Sequence, residues 1–85
     1  MWKVIGEFKQ GSEVSKSWKQ GDVTIEANIF SDSYCRYHCS VTAWIDGEIV
    51  WSEQNHHQRT AKDARWWRGD RVKDCKAWLK EKHPQ

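Results

Sequence analysis

The sequence predicts an α+β fold: a five-stranded antiparallel β-meander followed by one long C-terminal helix packed on one face. Three observations carry this reading. Apolar and polar residues alternate in five segments of the first 53 residues. Glycine turn signals sit at three of the four junctions between them. From Thr60 onward the apolar spacing lengthens from two to three or four, the period of a helix.

A single domain is expected over 1–85, with strands near 2–8, 12–19, 22–30, 34–44 and 48–53 and a helix near 60–82. Trp2, Val4, Gly6 and Phe8 share one face of the first strand. Val14 and Trp18 mark the second. Val23, Ile25, Ala27 and Ile29 mark the third without a break. Cys35, Tyr37, Cys39, Val41 and Ala43 mark the fourth, and Ile49 and Trp51 the fifth. A two-residue Gln20-Gly21 turn pairs Lys19 with Asp22 and Trp18 with Val23, keeping the marked residues together. At Asp46-Gly47 a two-residue loop would send Ile49 and Trp51 to the wrong face. A three-residue loop, Ile45-Asp46-Gly47, keeps them with Val41 and Ala43. A one-residue slip flips every side chain, so burial selects the longer loop. The same form at Lys9-Gln10-Gly11 sets Trp2 opposite Trp18.

Gln54 to Gln58 reads as a polar loop. Thr60 reads as the helix N-cap, with Asp63 adding favourable charge in the first turn. Ala61, Ala64, Val72, Cys75 and Leu79 form one stripe, flanked by Trp67 and Trp78. All stripes keep phase across Gly69, which favours one helix with Gly69 as a candidate kink. One helix is about 10 Å across, and five strands span about 20 Å. The strands bearing Trp2 and Trp18 are therefore left partly uncovered, which points to a homodimer.

Composition bounds the function. Leu, Ile, Val and Phe number 14 of 85 residues, below the roughly 20% at which disorder competes. Seven Trp and a net charge of only +2 oppose disorder. The core is expected to use Trp where most domains use Leu. No apolar run is long enough to span a membrane, and no secretory signal is expected. Three Cys cannot close a disulfide framework, so a cytoplasmic setting is expected. Cys35, Cys39 and Cys75 read as small buried hydrophobes. No metal or cofactor is expected, because neither the Cys spacing nor His56-His57 matches a metal motif. No nucleophile triad or phosphate loop stands out, so the chain is not expected to be an enzyme.

Charge is uneven. Residues 1–53 carry 5 basic and 8 acidic side chains; residues 54–85 carry 9 and 4. The helix phase places Trp66 nearly opposite the core stripe. Trp and Arg are enriched at binding hot spots. Trp66 with Arg59, Lys62, Arg65, Arg68 and Arg71 is therefore the candidate partner-binding set. The competing reading is a solvated, ion-paired helix. Arg68 falls near the buried centre, where it needs an acidic partner or must snorkel. A second candidate surface is the other sheet face, with Phe30, Tyr34, Arg36, His38 and Trp44. Glu26 is expected opposite His38 there, and Asn28 opposite Arg36. Aromatic and basic residues on an open sheet can stack nucleic-acid bases.

The strand pair from Tyr37 to Trp51, followed by Thr60-Ala61-Lys62-Asp63-Ala64 opening a helix, resembles the small accessory proteins of phages and other mobile elements, anti-CRISPR proteins among them. That resemblance implies an inhibitor or modulator of a host defence protein or ribonucleoprotein complex, acting in the host cytoplasm. It transfers no functional residue. Arg59, Lys62 and Lys73 resemble the basic helix start of double-stranded RNA-binding domains, although the first helix and the Lys-Lys-x-Ala-Lys signature of that family are missing. The leading expectation is a non-catalytic protein-binding inhibitor; the alternative is a small RNA- or DNA-binding module.

Overall fold

The computed structural model describes residues 1–32, 34 and 36–83. Five strands, β1 (Lys3–Gln10), β2 (Glu13–Gln20), β3 (Val23–Ser31), β4 (Tyr37–Ile45) and β5 (Glu48–Gln58), are followed by one helix, α1 (Ala61–Lys82). The strands form one antiparallel sheet in sequence order. The helix lies on one face, over β3, β4 and β5. We call that the inner face.

Burial follows the strand period of two. Val23, Ile25, Ala27 and Ile29 are buried along β3, and Cys39, Val41 and Ala43 along β4. Against them the helix sets Ala64, Val72, Cys75 and Leu79. The fully enclosed side chains are thus aliphatic or thiol, whereas the sequence had suggested Trp. Trp2, Trp18, Trp51, Trp67 and Trp78 pack around this core as a partly exposed rim. A long indole covers area at the edge of a layer too thin to enclose it. Lys76 links the rim to the helix, its Nζ lying 5.5 Å from the Trp2 ring and 5.3 Å from the Trp18 ring. Every residue of β1 is exposed, because the helix does not reach that edge.

Several expected registers are corrected. The first two turns are Gly11-Ser12 and Gly21-Asp22, with glycine at the first central position at φ 59° and 60°. That is the pattern of a type II′ turn, which needs Gly there. Trp18 therefore faces Ile25 in place of Val23, a two-residue shift that preserves the face. In β1 the register shifts at Ile5, so Val4, not Trp2, faces Trp18. The extra residue also separates Val4 and Phe8 onto opposite faces, where alternation alone had placed them together.

At the β4–β5 junction Asp46 and Gly47 both have positive φ, 51° and 80°, and Ile45 pairs with Glu48. The loop is therefore the two-residue one. A bulge at Val50 then restores Trp51 to the inner face opposite Ala43 and leaves Ile49 62% exposed opposite Trp44. Strand β4 begins at Tyr37, later than the expected 34. His38 consequently faces Phe30, and Asn28 faces Ser40, in place of Glu26 and Arg36. The stretch from Gln54 to Gln58, expected as a loop, continues β5. Its ladder with β4 uses backbone groups, which need no apolar alternation. Cys35, assigned by alternation to the inner face, lies outside the described residues.

The helix starts as expected. Thr60 is the N-cap, and its Oγ1 accepts from the Asp63 N–H at 3.0 Å. The helix passes through Gly69 without a break.

Candidate interaction surfaces

The structure divides the basic helix series into three environments. Trp66 is 70% exposed on the side of the helix away from the sheet. Lys62 and Gly69 lie one turn away on either side of it, and both are exposed. Arg59 is exposed just before the N-cap. A Cβ added at Gly69 would meet nothing within 4 Å. No contact inside the described residues therefore calls for a glycine there.

Arg71 belongs elsewhere. Its guanidinium contacts Asp70, Asp74 at 2.9 Å and Glu53 at 3.3 Å. The hydrogen bond to Asp70 leads in raising its pKa above the usual arginine value, and Glu53 and Asp74 add to it. This knot ties the helix to β5, so Arg71 is not free for a partner as the sequence had suggested. Arg68 is half-buried on the inner side. Its Nη1 is closed off from solvent with no hydrogen-bond partner. Burial lowers its pKa, and the neighbouring Arg65 charge lowers it further. The acidic partner expected for it is not found among the described residues. Arg65, one turn earlier on the helix, is exposed. Arg68 and Arg71 thus fall off the Trp66 surface, because three-residue spacing drifts around a helix.

The second expected surface is also split. Tyr34, Arg36 and His38 gather at one corner, with the Arg36 guanidinium 5.5 Å from the Tyr34 ring. Phe30 stacks on His38 at 4.9 Å and an interplanar angle of 16°. Trp44 is six residues further along β4, about 20 Å away, beside Thr24 and Ile49. Between them the outer face is polar and internally bonded: Ser15 donates to Asn28, and Asn28 donates to Glu26 and Ser40.

The corner is organised by a residue the sequence reading overlooked. Asp32 Oδ1 accepts from the backbone N–H groups of Tyr34 and Arg36 at 2.8 and 3.1 Å. Its Oδ2 accepts from His38 Nε2 at 2.7 Å and lies 3.5 Å from Arg36 Nε. The His38 hydrogen bond leads in lowering the Asp32 pKa to about 2, with the two backbone N–H groups and the Arg36 charge adding to it against a smaller effect of burial. An Asp two residues before Tyr34 and four before Arg36 is the spacing of a side-chain-capped turn, a signal present in the sequence. Beyond it, His38 Nδ1 and His56 Nδ1 face each other at 2.7 Å. One of them donates and the other accepts.

Comparison with protein-family models, curated proteins and solved structures returns no match. Among the described residues no group of three or more His, Cys, Asp or Glu is arranged to hold a metal. No helix among the described residues is long and apolar enough to cross a membrane.

Proposed function

We propose that this chain is a non-catalytic binding protein that docks on a partner protein through the outer side of its helix. The observation that carries this is Trp66, a large aromatic left 70% exposed on a regular element although the same chain uses five other Trp to cover its core. Trp is one of the residue types enriched at the energetic centre of an interface. Gly69 supports the reading. A mid-helix glycine costs about 1 kcal/mol relative to alanine, and no neighbour within the described residues needs it. A glycine one turn from an exposed Trp leaves room for a partner side chain beside the indole. Lys62 and Arg59 add positive charge, which suits an acidic partner surface.

The layout resemblance to phage accessory proteins supplies the kind of partner. It would be a host protein or ribonucleoprotein assembly, such as a defence complex, whose site the chain occupies and thereby inhibits. The nucleic-acid reading rests on the Tyr34, Arg36, His38 and Phe30 corner. It is the weaker one, because the Asp32 carboxylate already pairs with Arg36 at that corner and opposes a phosphate.

The test is capture of partners from a nuclease-treated bacterial lysate by the tagged chain and by its Trp66→Ala and Lys62→Ala variants. The proposal expects a protein captured by the parent and lost with Trp66→Ala, while circular dichroism stays unchanged. Undiminished capture by both variants would overturn the placement. Steep loss of RNA or DNA binding with added salt would favour the alternative.

A further inference from the structure

Between the N-terminal half of α1 and the neighbouring ends of β1 to β4 runs a groove of about 580 Å³, walled by Lys9, Ser12, Val14, Tyr37, Arg65 and Arg68 among others. Its volume lies in the range of small-ligand sites. Its charge is one-sided. Lys9, Arg65 and Arg68 are cations, and no carboxylate is among the described residues that line it. The adjoining groove of about 420 Å³ shares Lys9 and Arg68 and adds Glu7, but Glu7 is already paired with Lys16 at 3.2 Å.

Arg68 is the unusual member. Three residues further along the helix Arg71 is surrounded by three carboxylates, whereas Arg68 has no acidic partner among the described residues; both arginines hold one nitrogen cut off from water without an acceptor, Nη1 in Arg68 and Nε in Arg71. A partly desolvated charge left unpaired destabilises a fold, and a Met or Leu there would avoid the cost. The same desolvation strengthens its attraction for an anion placed beside it. Of the remaining wall, Val14 and Tyr37 are partly buried and pack against the buried Ile29.

We propose that this groove binds a small organic anion, its phosphate or carboxylate head held by Lys9, Arg65 and Arg68 and its apolar body lying against Val14 and Tyr37. The inference is independent of the Trp66 surface, which lies on the opposite side of the helix.

Phenyl phosphate, benzoate and neutral phenol are the probes, added separately to the full chain. Thermal melting and amide chemical shifts are the readouts. The proposal expects a higher melting temperature with at least one of the two anions, and shifts at Val14 and Tyr37. The tighter of the two identifies the head group. Arg68→Met should melt no lower than the parent without ligand and should bind roughly tenfold or more weakly, the loss expected for one charge-assisted contact. Should that variant not fold, the Lys9→Gln, Arg65→Gln double variant must show the same weakening. Lys19→Gln, on the outer face, should bind as the parent does. No response to either anion at millimolar concentration, an equal response to phenol, or undiminished binding by the folded Arg68→Met or the double variant each overturns the proposal.

Discussion

Trp51 faces Ala43 across β4 and β5, while Ile49, only two positions earlier, faces Trp44 on the opposite side of the sheet. Residues two apart normally share a face. Val50 is the additional residue that breaks the parity, and it packs against the core itself. The bulge lets the tight Asp46-Gly47 turn coexist with an inward Trp51.

The two neighbours should therefore respond oppositely to substitution. Ile49→Thr, on the exposed face, should change stability by less than about 0.5 kcal/mol. Trp51→Ala should cost about 2–3 kcal/mol, at or below the low end for Trp truncation because the indole is only partly buried. Urea unfolding followed by circular dichroism measures both. Equal losses at the two positions would show that no bulge separates them.

Gly69→Ala should raise stability by about 0.5–1 kcal/mol. The helix is regular there, the added methyl meets nothing within 4 Å, and alanine loses less backbone entropy on folding. Thermal unfolding checks this. If Gly69 also lies under a partner, the same variant should bind that partner more weakly, separating stability from binding.

Acid should loosen the corner around Asp32. Its folded pKa, lowered to about 2, lies below the roughly 3.9 of an unfolded Asp. The contribution is thus present above about pH 4 and is lost as pH falls through about 2. The amide signals of Tyr34 and Arg36, which donate to Asp32, should move across that window in an NMR titration. In Asp32→Asn they should no longer follow a titration there.

Side-chain parity was legible wherever one face is buried, and so the inner residues of β3, β4 and α1 could be read directly. Turn length was not. The position of glycine within the turn decided it, and Gly11 and Gly21 stand at the first central position. The bulges at Ile5 and Val50 were hidden because an apolar extra residue looks like any other apolar residue. Strand β5 beyond Trp51 was hidden for another reason: its pairing is a backbone matter. Among the surface residues, helix phase alone exposed Trp66 and drew Arg68 inward. The anion groove was out of reach, since Lys9 joins Arg65 and Arg68 only through the β1–β2 register.

Site-specific photo-crosslinking tests the docking face most directly. p-Benzoylphenylalanine is placed singly at Trp66 and at Trp44, and the two chains are irradiated in the same bacterial lysate. The account predicts a discrete protein crosslink from position 66 and none from position 44. Crosslinking from 44, to protein or to nucleic acid, with none from 66 would contradict it.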